Sequence, residues 1–268
     1  MNAVVPRLII FMLFFVCMWI ISINFATEKY TAKIVIYILM KAKKFLFLIF
    51  FLSLCSLLSA QSAGNKQTAK QKTYYVKIET DYGTMKVQLY NETPQHRDNF
   101  LKLVKEGFYD GLLFHRVIRN FMIQGGDPTS KNAKPGQPLG AGNLGYTVPA
   151  EFKPNLIHRK GALAAARQGD QVNPKKASSA SQFYIVQGNV WDEPNLQMME
   201  KRFGKKFTDT QRRIYTTVGG TPHLDGDYTV FGQVVEGLEV IDKIAAVQCG
   251  PADRPVKDVK MKIYVVEK

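Results

Sequence analysis

Apolar residues alternate with other residues in three separate stretches of the chain, residues 74–78, 85–89 and 259–265. Side chains two positions apart on a strand share a face, so each stretch is predicted to be a strand with one buried face. The turn between the first two stretches contains Gly83, which predicts a β-hairpin. Strand patterns of this kind at both ends of residues 74–268 favour a mainly β fold.

Helical patterns are fewer. Thr93 followed by Pro94 is a typical helix start, and Gly107 is a typical helix end. Residues 238–247 predict a second helix from the spacing of their apolar residues. Many strands with only two or three helices predict a closed antiparallel barrel with helices over its ends.

The stretch between Gly188 and Gly220 differs from the rest of the domain in its charge and in the spacing of its apolar residues. Within it, residues 198–213 carry apolar side chains at four-residue spacing among charged ones, and six basic residues against two acidic ones. This pattern predicts an amphipathic helix. We interpret its apolar stripe as packing against the body of the protein, with a partner-binding helix as the alternative.

Two apolar stretches, residues 8–25 and 45–58, precede the strand-rich part. A short basic segment that begins at Met40 precedes the second stretch, and small residues near Ala60 follow it. This order of basic, apolar and small residues is typical of a secretory signal. We therefore expect residues 1–60 to be a targeting region, with Met40 as the true start and 40–60 as a cleaved signal peptide. A retained membrane anchor is the second interpretation, and lipid attachment at Cys55 is the third.

The remaining chain divides simply. Residues 61–72 are polar and small without periodicity, which predicts a flexible tether. Residues 73–268 are predicted to form one domain, with an insertion at about 188–220. Its only cysteine is Cys249, so no disulfide framework is expected.

The chain is basic, with 36 Lys and Arg against 22 Asp and Glu. These residues form no concentrated block, so we favour a solvated basic surface over nucleic-acid binding. The four histidines are scattered without metal-ligand spacing, and the glycine-rich segment 136–145 lacks the features of a phosphate loop. We expect no metal and no cofactor.

Residues 114–127 read FHRVIRNFMIQGGD and combine charge with apolar residues. As a strand, this stretch predicts that Arg116 shares a face with Phe114 and Ile118, and that Gln124 shares one with Met122. A guanidinium keeps its charge, so a partly enclosed one needs acceptors for its hydrogen bonds. Arg116 is either a satisfied structural arginine or a functional one.

Four blocks occur in one order along residues 74–268: FHR with FM.QGGD, then GALAAAR, SQFYI and LDGDYTVFGQV. In this order they resemble the cyclophilins, a family of peptidyl-prolyl isomerases. The resemblance implies an eight-stranded cyclophilin-like barrel capped by two helices, and isomerisation of X–Pro bonds in proline-containing polypeptides. With the predicted signal it implies a periplasmic or otherwise exported folding catalyst. We expect a monomer that contacts the membrane only through an uncleaved N-terminal segment.

The resemblance also implies roles for individual residues. The family's catalytic arginine falls on Arg116. The predicted substrate-binding residues are His115, Phe121, Met122, Gln124, Ala166, Arg167, Gln182, Tyr184, His223, Leu224 and Tyr228. Three of these depart from the family: His223 stands for a tryptophan that binds cyclosporin in many members, Tyr228 for a histidine and Tyr184 for a phenylalanine.

Two functions remain open at this level. The first is an isomerase in which Arg116 stabilises the twisted amide over an apolar proline pocket. The second is a catalytically weak module of the same fold that binds proline peptides or acts as a chaperone. The presence of Arg116, Phe121, Met122 and Gln124 favours the first.

Overall fold

The computed structural model describes residues 37–38, 40–43 and 72–266 of a chain that divides into two compact units, residues 1–70 and 71–268. In the first unit the described residues are helical and exposed. Residues 44–60 of the predicted signal peptide and residues 61–71 of the predicted tether lie outside the described residues, so both stay predictions. None of the helices that the structure describes has the length and apolar character to cross a membrane.

Ten strands occur within residues 72–266. In chain order they are β1 (Tyr74–Thr80), β2 (Gly83–Leu89), β3 (Arg116–Ile118), β4 (Met122–Gly125), β5 (Thr147–Val148), β6 (Ala162–Ala165), β7 (Ser178–Ser179), β8 (Phe183–Val186), β9 (Val230–Glu236) and β10 (Lys262–Val266). Eight of them form one antiparallel sheet in the order β10-β1-β2-β9-β6-β8-β4-β3, and β5 pairs with β7. The prediction of a mainly β fold with eight sheet strands is confirmed.

The prediction of a closed barrel is wrong. The edge strands β3 and β10 do not pair with each other, and the sheet is a curled half-barrel. The two edges meet only through the irregular segments before them. There, an isolated bridge joins Leu113 to Lys260, and the Met261 N–H donates to the Leu112 carbonyl at 2.9 Å. These contacts are antiparallel and join residues 111–114 to residues 259–261, a register in which β3 and β10 do not lie opposite each other.

The hairpin of β1 and β2 follows the predicted alternation. Val76 and Val87 lie opposite each other in the ladder, and both are fully buried. In the turn, the Thr80 hydroxyl donates to the Gly83 carbonyl at 2.9 Å. Gly83 has a φ of +127°, which a residue with a Cβ atom rarely adopts. The turn therefore depends on this glycine.

Four α-helices lie within residues 72–266: α1 (Pro94–Lys105), α2 (Glu193–Phe203), α3 (Asp209–Thr217) and α4 (Leu238–Ala245). Helix α1 begins at the predicted Pro94, but the Thr93 side chain makes no cap hydrogen bond. Instead, the distant Glu151 carboxylate accepts the backbone N–H groups of Gln95 at 3.2 Å and His96 at 3.0 Å. Tertiary structure has replaced the local cap.

The predicted helix over residues 198–213 is two helices. Helix α2 ends at Gly204, which has left-handed backbone angles, and α3 begins with a capping box between Thr208 and Gln211. Of the predicted apolar stripe, Met199 is buried but Phe203 is 45% exposed. Whether this segment is an insertion relative to the family stays a prediction.

Strands β6 and β8 present alternate residues to two apolar clusters. Leu163 and Phe183 belong to the main core, which also holds the buried faces of α1 and α4. Ala164 and Tyr184 face the other way. The outer cluster consists of Met122, Ala162, Ala164, Ala166, Tyr184, Val186 and Val230, with Phe121, Leu224 and Tyr228 among the residues packed at its margin. The run of small residues on β6 therefore supports both clusters.

Candidate active site

Strand register places three of the predicted site residues in one row. Arg116 on β3 lies opposite Gln124 on β4, and Gln124 lies opposite Tyr184 on β8. Phe114 does not share the face of Arg116, contrary to the simple alternation. It precedes β3 in irregular backbone and is fully buried in the main core, whereas the Arg116 side chain is 42% exposed.

A chain of amides extends from Arg116 into a neighbouring loop. The Arg116 Nη1 atom lies 3.5 Å from Gln124 Oε1, and Gln124 Nε2 donates to Gln182 Oε1 at 3.2 Å. Gln182 Nε2 then donates to the carbonyls of Gly140 at 3.0 Å and Gly142 at 2.8 Å. The guanidinium is thus oriented by an amide that is itself fixed by backbone.

Asp127 holds the loop that carries those two carbonyls. One carboxylate oxygen accepts the Thr129 N–H at 2.8 Å and the Thr129 hydroxyl at 2.7 Å. The other accepts the N–H groups of Gly140 and Gly142. Burial alone would raise the pKa of Asp127, but the hydrogen bonds from Thr129 and Gly140 outweigh it and lower the pKa below its ordinary value.

Asp253 provides a second contact for the arginine. Its Oδ2 atom lies 3.3 Å from Arg116 Nε. Asp253 and Ala252 both have positive φ angles, 59° and 57°, in the short 3₁₀ segment Pro251–Asp253. This unusual backbone turns the Asp253 carboxylate toward β3. Both partners are about half exposed, so the ion pair orients the guanidinium more than it stabilises the fold.

A cavity of about 860 Å³ opens beside Arg116. Ten of the twelve predicted residues line it: His115, Arg116, Phe121, Met122, Gln124, Ala166, Arg167, Tyr184, Leu224 and Tyr228. The other two, Gln182 and His223, contact residues of this lining. Gln182 is hydrogen-bonded to Gln124, and the His223 ring stacks on Phe121 at 5.8 Å. The apolar wall and the arginine therefore meet in one concave site.

Ala166 and Arg167 line the cavity and are held in place by contacts within the chain. The Ala166 N–H donates to the Gln182 carbonyl at 3.0 Å, and its carbonyl accepts the Ser179 N–H at 2.8 Å. The Arg167 guanidinium lies 4.4 Å from the centre of the Tyr228 ring. This cation–π contact holds the Tyr228 ring, which also lines the cavity.

Tyr184 is supported by a buried polar network. Asp225 Oδ1 lies 2.8 Å from His158 Nδ1, and His158 Nε2 lies 3.0 Å from the Tyr184 hydroxyl. The Tyr215 hydroxyl of α3 donates to Asp225 Oδ2 at 2.6 Å. The carboxylate favours a proton on Nδ1, so Nε2 accepts from Tyr184. The hydroxyl that distinguishes Tyr184 from a phenylalanine thus has a partner.

Comparison with known proteins identifies the family. Residues 75–266 match the family model of cyclophilin type peptidyl-prolyl cis-trans isomerases. The chain belongs to the cyclophilin family. A Staphylococcus aureus relative named as a peptidyl-prolyl cis-trans isomerase is 36% identical over 205 residues, which are 76% of this chain and 96% of the relative. The prediction of a peptidyl-prolyl isomerase is confirmed at this level.

Two further relatives extend the comparison. A Streptococcus pyogenes protein named as a bifunctional phosphatase/peptidyl-prolyl cis-trans isomerase is 39% identical over 189 residues, which are 69% of this chain but 37% of that protein. The crystal structure of a Cryptosporidium parvum cyclophilin superposes with a TM-score of 0.55 at 25% identity, over 74% of this chain and 99% of that one. A second structure of that protein was determined in the presence of the dipeptide Ala-Pro.

Sequence reasoning missed several residues that shape the site of this cyclophilin. Asp225 lies in the LDGD turn that marks the family resemblance, so its position was visible although its partner His158 was not. Asp253 carries no sequence signal, because its contact with Arg116 depends on a loop fold 137 residues away. Long-range contacts of this kind cannot be read from local patterns.

His115 is buried against the cavity. Only 3% of its surface is exposed, and neither ring nitrogen makes a hydrogen bond within residues 72–266. Burial lowers the pKa of His115 to about 4, although the nearby Asp127 charge opposes the shift. The imidazole is therefore neutral at pH 7, and it acts as a shaped wall and a potential hydrogen-bonding group instead of a proton-transfer group.

The low pKa of His115 predicts acid sensitivity of the fold. The unfolded chain takes up a proton near pH 6.5, whereas the folded protein takes it up only near pH 4. The free energy of unfolding should therefore decrease as the pH is lowered from about 6.5 to about 4, by up to about 3 kcal/mol. Denaturant unfolding at pH 7.5 and 4.5 measures this change.

A matched variant isolates the contribution of His115, because burial also lowers the pKa values of His96 and His223. The His115→Gln protein should lose less stability on acidification than the wild type. An NMR titration of the His115 ring with a midpoint near or above pH 6.5 would contradict the prediction.

No group of three or more potential metal ligands occurs among the residues that the structure describes. The expectation that this cyclophilin needs no cofactor stays a prediction.

Proposed function

We propose that this cyclophilin isomerises X–Pro bonds in exported polypeptides, and that Arg116 stabilises the twisted amide while the apolar cavity holds the proline. The observation that carries the proposal is the position of the Arg116 guanidinium at the edge of that cavity, in register with Gln124 and Tyr184. The Ala-Pro dipeptide used with the Cryptosporidium relative supports a proline-containing ligand.

The chemistry needs no covalent step. Partial double-bond character gives the peptide bond a rotational barrier of about 18–20 kcal/mol. A catalyst has to bind the twisted amide more tightly than the planar one, and each ~1.4 kcal/mol of that difference accelerates the reaction about tenfold. Twisting localises the lone pair on the proline nitrogen, which then accepts a hydrogen bond. A permanently charged donor can stabilise this state without proton transfer.

The contacts of Arg116 suit this role. Asp253 engages Nε and Gln124 engages Nη1, while Nη2 makes no hydrogen bond within the described part of the chain. Two contacts hold the guanidinium in place, and one terminal nitrogen remains available to the substrate. Preorganisation of this kind lowers the cost of reorienting the donor during the reaction.

The apolar wall has a complementary role. Phe121, Met122 and Leu224 line the cavity together with the Tyr184 and Tyr228 rings. A proline ring placed against them is fixed by apolar burial, while the residue before it remains free to rotate.

We further propose that the protein acts as a monomer.

The refolding of a protein with a slow proline-limited phase tests the function. Uncatalysed isomerisation takes about 10–100 s at 25 °C. The full-length chain, added at a few per cent of the client concentration, should shorten this phase. A binding or chaperone module would need stoichiometric amounts and would leave the rate constant unchanged or lower it.

The export part of the proposal rests on residues 40–60 of the sequence, which combine a basic start, an apolar core and small residues near Ala60. We propose that this segment directs the protein out of the cytoplasm, to the periplasm or the equivalent exported space. N-terminal sequencing of the mature protein should give a start at about residue 61. A mature protein that retains residues 1–60 would support a membrane anchor instead.

A further inference from the structure

Three aromatic rings form a row that leads out of the cavity. Phe121 lines the cavity, and the His223 ring stacks on it at 5.8 Å with an interplanar angle of 24°. Phe203, at the end of α2, lies 6.0 Å from the His223 ring at 31°. Its exposed fraction is 45%, so the row ends in an aromatic side chain that solvent reaches.

Lys205, which follows the end of α2, binds the segment that carries His223 and part of the cavity wall. After the left-handed turn at Gly204, the Lys205 ammonium donates to the His223 carbonyl at 2.7 Å and pairs with the Asp227 carboxylate at 2.7 Å. It also donates to the Asp225 carbonyl. The segment that carries these acceptors also carries Leu224 and Tyr228 of the cavity. The end of α2 is therefore held in a defined position relative to the site.

The spacing of the rings matches the reach of a bound polypeptide. The two ring-to-ring distances place Phe203 at most about 12 Å from Phe121. An extended chain covers about 3.3–3.6 Å per residue. A substrate whose proline occupies the cavity can thus bring a side chain within three residues of the proline against Phe203.

We propose that Phe203 and His223, the aromatic shelf, form a subsite for an aromatic side chain of the substrate within three residues of the proline. The inference rests on the proposed function, because it takes the proline to bind in the cavity. The shelf continues the apolar wall of the cavity, and offset or tilted ring contacts add affinity beyond area burial. Because Phe203 is the last residue of α2, the proposal gives this helix a role in substrate selection.

A peptide series tests the shelf. The parent peptide has a single proline with alanine at the three positions before it and the three after it. Each of six variants replaces one of these alanines by phenylalanine. With the full-length wild-type protein, one phenylalanine position should raise kcat/KM by about three- to tenfold over the parent, mainly through KM. In Phe203→Ala the ratio for that position should fall to within about twofold of one.

Two variants serve as controls. Phe203→Leu keeps an apolar side chain and should show an intermediate ratio, which also covers the case in which Phe203→Ala does not fold. Met198→Ala alters another exposed side chain of α2 that lies outside the shelf, and it should keep the wild-type ratio.

The outcomes separate the two proposals. Normal turnover with no preference for phenylalanine at any position overturns the shelf and leaves the isomerase function intact. A preference that survives in Phe203→Ala also overturns it. Absence of turnover of every peptide by the wild-type protein overturns the proposed function and the shelf together.

Discussion

Arg116→Ala is expected to lower kcat/KM for proline isomerisation by about 10²–10³-fold, which corresponds to about 3–4 kcal/mol of lost transition-state stabilisation. The donor interacts with the twisted amide and not with the planar one, so kcat should fall with kcat/KM while KM changes little. A protease-coupled or NMR assay on a short Ala-Pro peptide measures both constants. Arg116→Lys should recover only part of the rate, because an ammonium cannot keep the contacts with Gln124 and Asp253 and also donate to the substrate.

Arg119→Ala is the matched control for this experiment. Arg119 lies in the turn between β3 and β4, is exposed, and does not line the cavity. Its removal should leave the rate within about twofold of the wild type. The Arg116→Ala protein itself should keep its stability to within about 1 kcal/mol, since its ion pair with Asp253 is half exposed. An Arg116→Ala protein with wild-type kcat would remove the arginine from the mechanism.

The second large effect is expected for Asp127→Ala, which should lower the free energy of unfolding by about 3 kcal/mol. The carboxylate is fully buried and accepts hydrogen bonds from Thr129, Gly140 and Gly142. Alanine leaves those N–H groups without an acceptor. The loop that fixes Gln182 should loosen, so a smaller loss of catalytic rate should accompany the loss of stability. Denaturant unfolding at pH 7 measures the change in stability.

Asp98→Ala is the comparison for Asp127→Ala. The Asp98 carboxylate is 61% exposed and pairs with Arg97, so its removal should cost less than about 1 kcal/mol. Because folding lowers the pKa of Asp127, its stabilising contribution is present above about pH 3.8 and is lost as the pH falls through the lowered pKa. Equal unfolding free energies for Asp127→Ala and Asp98→Ala would contradict this account.

The sequence predicted those parts of the fold that depend on local patterns. Alternation in residues 74–78 and 85–89 is sufficient to place β1 and β2, because a strand with one buried face has a period of two. The left-handed turn at Gly107 and the proline at the start of α1 also follow from single residues. Alternation failed at Phe114, because the period of two holds only where the backbone is a strand.

Closure of the sheet and the division of the 198–213 segment show two different limits. Closure depends on whether β3 and β10 meet in register, which is a property of distant segments. The break between α2 and α3, in contrast, was present in the sequence as Gly204 and the capping pair Thr208 and Gln211. This helix boundary is therefore encoded by local residues, whereas the closure of the sheet is not.

The site residues were found mainly through the family resemblance, and the structure adds their supports. Pattern alone left Arg116 undecided between a structural and a functional role. Cross-strand register now sets it beside Gln124, and Asp253 holds it from a loop that no local pattern connects to β3. The network behind Tyr184 accounts in the same way for a departure from the family that sequence alone could only note.

Exchange NMR of an Ala-Pro peptide mixed with the full-length protein tests the central claim most directly, since it detects binding and isomerisation in one sample. With the wild type, cis and trans signals should exchange within about a second, against tens of seconds or more for the free peptide. With Arg116→Ala, the peptide should still bind in the apolar cavity, but the exchange should slow to nearly the rate of the free peptide. Equally fast exchange with both proteins, or none with the wild type, would contradict the proposal that Arg116 and this cavity form the catalytic site.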